Sequence, residues 1–183
     1  MAVWHDLEYW ECGFETMNLE VFNKMPAEEA ESALLRCCGS QTWVSAMLAR
    51  RPFLSTADVF ALSDATFATF STADWLEAFR HHPQIGDSES LRKRFAATAD
   101  LAAGEQKAVE FASLAVLNEL KCLNSLYEER FGFIFIVCAT GKSAGEMLSL
   151  LKSRIDNPPD RELSIAGEEQ SKITRIRLEK LLL

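Results

Sequence analysis

The chain has 183 residues, of which 48% are hydrophobic and 25% charged. This composition is typical of a folded globular protein and excludes a disordered or collagen-like chain, and the length suits one compact domain. The 27 acidic and 19 basic residues give a net charge of −8, which disfavours binding to duplex nucleic acid because neutralising phosphates needs a basic face.

The sequence predicts neither a membrane span nor an export signal. Its longest strongly apolar stretch, Phe133 to Ala139, is far shorter than the roughly 20 residues of a membrane helix. The first residues lack the basic start and apolar core of a signal peptide, and the three terminal leucines are not a peroxisomal SKL address. The five cysteines are odd in number and form no C-x-x-C pair. We therefore expect reduced thiols and an intracellular protein.

Turn and capping residues divide the first half of the chain into four predicted helices. Proline begins or ends them because its ring cannot continue a helix. Glycine ends them through a left-handed turn, and serine or threonine side chains cap their first N–H groups. The predicted helices run from Pro26 to Gly39, from Gln41 to Arg50, from Ser55 or Thr56 to Phe67, and from Ser71 or Thr72 to the junction His81-His82-Pro83.

The second half is predicted to be helical with one exception. Residues 86–103 mix glycine, a basic cluster and alanines, which indicates a loop with some helix. Aromatic and β-branched residues from Phe133 to Ala139 predict a short buried extended segment. The predicted helices are Gly104 to Arg130, Ser143 to Ile155 and Arg161 to Leu182, the last two separated by Asn157-Pro158-Pro159. The predicted fold class is therefore all-α: a single-domain helical bundle with one short buried extended segment.

Two charged residues fall on apolar faces of these helices. At 100° per residue, Glu105 continues the stripe that contains Val116 and Tyr127, and Arg177 lies within the apolar face of the last helix. An unpaired buried charge is costly, so each needs a partner or a function. Glu105 can also be an exposed acid of a first helical turn. Arg177 can form a structural ion pair, with Glu119 as a candidate, or bind an anionic ligand.

The adjacent histidines 81 and 82 precede Pro83 and Gly86. Proline fixes the backbone and glycine permits a tight turn, so this junction can present one imidazole rigidly. Imidazole is the natural acid–base group near neutral pH. The alternative is a helix-end histidine that binds free carbonyls. No H-x-x-x-H, Cys/His cluster or H-E-x-x-H occurs, so no metal site is predicted.

These residues belong to a set of motifs that resembles the 2-oxo-4-hydroxy-4-carboxy-5-ureidoimidazoline (OHCU) decarboxylases, which complete the conversion of urate to allantoin. Each motif is weak alone, but their order and spacing from about residue 18 onward are specific. The matching stretches are Phe22-Asn23, Cys38-Gly39-Ser40 with Trp43, Arg51-Pro52-Phe53, Trp75-Leu76-Glu77-Ala78-Phe79, His82-Pro83-Gln84-Ile85-Gly86-Asp87, Glu105-Gln106, Leu123-Asn124 with Tyr127, Arg130 to Ala139, Lys172-Ile173 and Arg177-Leu178.

The resemblance implies a carboxy-lyase that uses no cofactor and is usually a homodimer. Residues 18–183 would form the decarboxylase domain, after an extension at 1–17. The family's acid–base histidine, active-site glutamate and substrate-binding arginine correspond to His82, Glu105 and Arg177. The resemblance adds as substrate-binding residues Pro83, Gln106, Phe135, Ile136, Val137, Cys138 and Ala139.

The expected reaction is loss of CO2 from OHCU to give (S)-allantoin, with the substrate ring accepting the electron pair. Arg177 would hold an oxygen, Glu105 would bind N–H groups and raise the pKa of His82, and His82 would deliver the proton to one face. Many members carry a serine three residues before the glutamate, where this chain has Ala102. We expect that difference to affect affinity more than chemistry.

The resemblance also implies a setting. Some members are fused to a transthyretin-like hydrolase that makes the substrate, so functional coupling to a 5-hydroxyisourate hydrolase is expected. Eukaryotic members are often peroxisomal, so the expected compartment is the peroxisome or the cytosol. Two alternatives stay open: a non-catalytic helical interaction module, in which Glu105 and Arg177 form a structural pair, and a lyase or hydrolase that acts on a related ureido acid.

Overall fold

A computed structural model describes residues 17–82 and 106–182 of the chain, the side chains of 106–114 excepted. All regular structure within these ranges is helical, which confirms the predicted all-α class. This part of the chain contains eight helices: α1 (Leu19–Lys24), α2 (Ala27–Cys37), α3 (Gln41–Arg50), α4 (Thr56–Phe67), α5 (Thr72–Arg80), α6 (Gln106–Phe131), α7 (Ala144–Arg154) and α8 (Pro159–Leu182).

Serine side chains begin four of these helices. Ser40, Ser55, Ser71 and Ser143 each accept a hydrogen bond from the backbone N–H three residues later, which satisfies one of the free donors of a first helical turn. At both helix starts where the sequence allowed serine or the neighbouring threonine as the cap, serine is the capping residue. Side-chain caps explain why these boundaries were predictable from the sequence.

Two helix starts differ from prediction. Helix α1 was not predicted, because its six residues are too few for a periodic pattern; Asn18 caps it by accepting from the backbone N–H of Val21 at 2.9 Å. Helix α8 begins at Pro159 instead of Arg161. Proline is well suited to a first helical position because its fixed φ matches the helix and its missing N–H would have no partner there.

The chain divides into two compact units. Of the described residues, the large unit contains 17–82, 136–138 and 163–182, and the small unit contains 106–135 and 139–162. Helices α1 to α5 and most of α8 therefore belong to the large unit, whereas α6, α7 and the first turn of α8 belong to the small unit. In the described ranges, no helix is both long and apolar enough to cross a membrane.

Stacked aromatic rings form much of the core of the large unit. The rings of Trp43 and Phe67 lie 6.2 Å apart, Phe67 and Trp75 lie 5.3 Å apart, and Trp75 and Phe79 lie 6.1 Å apart. Gly167 on α8 faces this stack so closely that a Cβ there would lie 3.1 Å from the Trp75 ring. The absence of a side chain at this position lets α8 approach α5.

Two of the family-like motifs hold α1 in place. The side chain of Asn23 donates to the carbonyl of Phe53 at 2.8 Å and accepts from its N–H at 2.9 Å. The guanidinium of Arg51 donates to the carbonyls of Phe22, Asn23 and Met25, which lie at the end of α1 where helical partners are missing. These motif residues therefore serve the scaffold.

The core of the small unit contains a buried polar network. The carboxylate of Glu162, fully buried, accepts from the hydroxyl of Tyr127, from Nε of Arg154 at 2.7 Å and from the amide of Asn157 at 2.7 Å. The Arg154 guanidinium also lies 4.6 Å from the centre of the Phe135 ring. Burial, and next the hydrogen bond to Glu162, raise the pKa of the Tyr127 hydroxyl.

The buried face of α6 is turned relative to the predicted stripe. Tyr127 is fully buried as predicted, but Leu117 and Leu120 are also buried, whereas Val116 and Leu123 are only partly so. The segment from Phe133 to Ala139 is non-helical and largely buried, as predicted. Its core residues are Phe133, Phe135, Ile136, Val137 and Cys138.

Candidate active site

The imidazole of His82 is the centre of a polar cluster in the large unit. His81 caps the C-terminus of α5 and is exposed, whereas His82 follows it and is partly buried. The Nε2 atom of His82 lies 2.6 Å from Oε1 of Gln170 on α8. Its imidazole therefore contacts a side chain of another helix.

The polar contacts of Gln170 continue to two further residues. Nε2 of Gln170 donates to Oγ1 of Thr174 at 3.1 Å. The side chain of Thr174 in turn lies next to the thiol of Cys38, as does the backbone of Ser40, and both lower the pKa of that thiol against the larger effect of burial. Gln170 and Thr174 are both fully buried, so the chain of contacts from His82 to Cys38 is shielded from water.

Arg177 lies one helical turn beyond Thr174 and reaches the end of α2. Its Nη1 donates to the carbonyl of Cys37 at 3.2 Å and to that of Arg36 at 3.4 Å. These carbonyls belong to the last turn of a helix, where helical partners are missing and a cation is favoured. Glu119, the predicted partner of Arg177, instead pairs with Lys152 at 2.5 Å.

The electrostatic surroundings of His82 favour its neutral form. Burial, and next the cation of Arg177, lower the pKa of His82 to about 4, although the hydrogen bond with Gln170 acts in the opposite direction. The expected effect of Glu105 was to raise this pKa; Glu105 lies outside the described residues. In the described surroundings the pKa of His82 is lowered, so its imidazole is neutral at neutral pH.

This lowered pKa makes the stability of the protein depend on pH. An unfolded histidine has a pKa near 6.5, so between about pH 6.5 and pH 4 the unfolded chain binds more protons at His82 than the folded chain does. Relative to a His82→Asn variant, the wild type should lose about 2 kcal/mol of unfolding free energy between pH 7.5 and pH 5. Urea unfolding of both proteins at the two pH values measures this difference, and equal losses would contradict it.

The neighbouring cysteines are inert thiols. Burial raises the pKa of Cys37 to about 12 and that of Cys38 to about 11. A thiol attacks as its thiolate, so neither residue is suited to nucleophilic catalysis at neutral pH. Both thiols are buried and pack in the core of the large unit.

Gly39 sets the position of the histidine junction. It is buried, and a Cβ at this position would lie 2.2 Å from Cγ of His81, a distance that real atoms do not tolerate. A side chain there must push His81 away, and His82 follows directly in the chain. The motif Cys38-Gly39-Ser40 is thus explained by close contact with the residue before the candidate acid–base group.

Replacing Gly39 by alanine should therefore lower kcat/KM by about 10- to 100-fold, because displacing a reacting group by about 1 Å has effects of this size. The matched control is Gly145→Ala on α7, where an added Cβ meets no atom within 4 Å. Steady-state kinetics on the two folded variants test the prediction. A Gly39→Ala variant as active as Gly145→Ala would contradict it.

The structure places the other predicted site residues as follows. Pro83 and Glu105 lie outside the described residues, and so does Ala102, where many family members have serine. Gln106 is described only as the first backbone position of α6. Ile136, Val137 and Cys138 are buried in the large unit, where the N–H of Cys138 donates to Glu169 at 2.7 Å. Phe135 is buried in the small unit, and Ala139 is partly buried there. Of the predicted catalytic residues, the structure describes the side chains of His82 and Arg177, and the cation of Arg177 lowers the pKa of His82.

The sequence analysis missed Gln170 and Thr174. The two residues precede Arg177 on α8 by seven and three positions, so all three lie on one face of the helix. The available signal was this spacing on an otherwise apolar face. Uncharged polar side chains are common on helices, so this spacing stands out less than a charged residue or a histidine on an apolar face.

The chain was compared with known proteins. The family profile described as OHCU decarboxylase matches residues 23–179. The uric acid degradation bifunctional protein TTL of Arabidopsis thaliana is 40% identical over 159 residues, which cover 86% of this chain and 48% of that protein. The OHCU decarboxylase of Amia calva is 32% identical over 143 residues, covering 75% of this chain and 78% of that protein.

A solved structure agrees with these matches. The crystal structure of OHCU decarboxylase in the presence of (S)-allantoin aligns with a TM-score of 0.66 and 35% identity, covering 86% of this chain and 98% of that one. The fold and the relatives therefore define an all-α protein of the OHCU decarboxylase type. The chain belongs to the OHCU decarboxylase family.

Proposed function

We propose that this chain catalyses the cofactor-independent decarboxylation of OHCU to (S)-allantoin in urate degradation. The observation that carries the proposal is the likeness, over 86% of the chain at 35% identity, to an OHCU decarboxylase solved in the presence of (S)-allantoin. The family match across residues 23–179 and the electrostatic effect of Arg177 on the partly buried His82 support it.

The chemistry needs no external electron sink. When the bond between the ring and the carboxylate breaks, CO2 leaves and its electron pair forms a C=C bond to the carbon that bears the ureido group. The π electrons of the adjacent C=N bond move to the ring nitrogen, which takes up a proton from water. The ring is then an enol. Transfer of the proton of its hydroxyl group to the carbon that bears the ureido group yields a carbonyl and allantoin. The protein must supply orientation, charge stabilisation and a directed proton.

His82 and Arg177 suit these tasks. A neutral imidazole can accept the hydroxyl proton and return it to the ring carbon from one side, which makes one enantiomer. Arg177 is a partly buried cation on α8, and its guanidinium fork suits a substrate oxygen. Glu105 is proposed to bind ureido or ring N–H groups. The other proposed substrate-binding residues are Pro83, Gln106, Phe135, Ile136, Val137, Cys138 and Ala139.

The proposal extends to the setting of the enzyme. The decarboxylase domain is proposed to span residues 18–183 and to form a homodimer in the peroxisome or cytosol. Three relatives are named as bifunctional proteins of uric acid degradation, which supports functional coupling to a hydrolase that supplies the substrate. The substrate is a small molecule, and no nucleic acid or membrane partner is proposed.

Circular dichroism of the product tests the proposal. The unaided reaction gives racemic allantoin, so a chiral signal separates catalysis from spontaneous decay. Adding the protein to freshly generated OHCU should give a rapid signal of (S)-allantoin. A folded protein that gives no more signal than buffer would overturn the proposal and favour a helical interaction module. Chiral product from another ureido acid, at a higher kcat/KM, would favour the related-lyase alternative.

A further inference from the structure

We propose that Gln170 is a positioning residue that fixes the tautomer and the ring orientation of His82, through a hydrogen-bond chain that continues to Thr174 and Cys38. The expected effect on rate rests on the proposed function. The tautomer itself is a property of the folded chain and can be measured without substrate.

Burial of Gln170 makes this contact obligatory. Gln170 and Thr174 are fully buried, and a buried amide without partners costs free energy. Both ends of the Gln170 amide are used: Oε1 lies 2.6 Å from Nε2 of His82, and Nε2 of Gln170 lies 3.1 Å from Oγ1 of Thr174. Rotation of the imidazole would leave the buried amide oxygen of Gln170 without this partner.

The donor and acceptor order of these hydrogen bonds determines which ring nitrogen of His82 carries the proton. An amide oxygen only accepts hydrogen bonds, so in this arrangement His82 donates through Nε2 and Gln170 donates to Thr174. The hydroxyl of Thr174 continues the row of contacts to the thiol of Cys38. The reverse direction would begin with the thiol as donor, and a thiol donates weakly. The lone pair of the neutral imidazole is therefore on Nδ1.

The atom of His82 that acts as the base is Nδ1. With Nε2 anchored to α8, Nδ1 is the nitrogen left to exchange a proton with a substrate. Among the described residues, the charged and titratable groups that act on His82 are Arg177 from α8 and the adjacent His81. Because Gln170 and Arg177 lie two turns apart on one helix face, a single helix orients the base and supplies the cation.

Nitrogen NMR of histidine-labelled protein tests the tautomer directly. At pH 7.5, the resonances of His82, identified by their loss in His82→Asn, should show a protonated Nε2 and an unprotonated Nδ1. In Gln170→Met, which keeps the length of the side chain and removes the acceptor, these two resonances should move towards the average of both tautomers. A wild type with Nδ1 protonated, or a Gln170→Met variant with unchanged resonances, would overturn the assignment.

Kinetics test the consequence for the reaction. Gln170→Met should lower kcat by about 10- to 100-fold, a part of the 10²–10⁴-fold that acid–base groups contribute, with KM little changed. Thr174→Val should lower kcat less, and Thr174→Ser should restore it because the hydroxyl returns. Gln170→Glu should move the acidic limb of the pH profile upward, because a carboxylate raises the pKa of a paired imidazole.

The control lies on the exposed face of the same helix. Glu168→Gln changes a solvent-exposed side chain of α8 and should leave the tautomer, kcat and pH profile unchanged. Melting temperatures confirm that each variant is folded. If Gln170→Met kept the wild-type kcat and pH profile, the positioning role would be wrong. If the wild type did not decarboxylate OHCU, the proposed function would fail, and the NMR result would still decide the tautomer.

Discussion

We expect His82→Asn to lower kcat by about 10²- to 10⁴-fold, the contribution typical of an acid–base group. Asparagine is polar, uncharged and smaller than histidine, so it brings no new charge into the cluster, although it is too short to replace the contact of Nε2 with Gln170. What asparagine lacks is a nitrogen that can gain and lose a proton near neutral pH. The rate of (S)-allantoin formation by circular dichroism measures the loss.

The neighbouring histidine provides the matched control for this experiment. His81 has the same side chain one position earlier but is exposed at the end of α5, so His81→Asn should keep most of the activity. Both variants should show the helical spectrum of the wild type. A His82→Asn variant with nearly normal kcat would rule out His82 as the proton-transfer group, and a loss of equal size in His81→Asn would indicate a general disturbance of the junction.

Local rules predicted most helices of the described chain. Serine caps, prolines and the glycine at position 39 act within a few residues of a helix end, so their effects can be read from the sequence alone. Helix α1 escaped because a six-residue helix has no periodic pattern to detect. Its stability comes from contacts with residues such as Arg51 and Phe53, which lie almost thirty positions away in the chain.

The candidate site was predictable where a residue was unusual for its surroundings. His82 next to proline and Arg177 on an apolar face stood out because titratable and charged groups are rare there. Their partners did not stand out. Gln170 binds His82 across 88 sequence positions. Arg177 binds backbone carbonyls of α2, and because every residue has a backbone carbonyl, no residue type in the sequence indicates this contact. Long-range geometry of this kind needs the fold.

Glu162 is another residue whose partners could not be predicted from the sequence, and its replacement should have the second large effect. The helical pattern did not single out Glu162, yet it is fully buried beside Arg154, with Nη2 of Arg154 2.6 Å from its Oε1. Removing one partner of a buried ion pair typically costs about 3–5 kcal/mol, because the other charge stays buried without its counter-charge. Glu162→Gln keeps the shape of the side chain and should lower the free energy of unfolding by about this amount.

Urea unfolding followed by circular dichroism measures this loss. The control Glu168→Gln makes the same chemical change on the exposed face of α8 and should alter the free energy of unfolding by less than about 0.5 kcal/mol. If Glu162→Gln were as stable as this control, the charge of Glu162 would contribute no stability. The uncharged hydrogen bonds with Tyr127 and Asn157 would then be sufficient to stabilise the cluster.

A double variant separates the charge from the packing. Replacing Glu162 and Arg154 together by leucine removes both charges, so no buried charge is left without its counter-charge; such exchanges are often neutral or stabilising when the packing is kept. We therefore expect the double variant to be more stable than Glu162→Leu alone, with a coupling energy in a double-mutant cycle of about 0.5–3 kcal/mol. Additive losses would mean that the two side chains stabilise the small unit independently, by contacts such as that between Arg154 and the ring of Phe135.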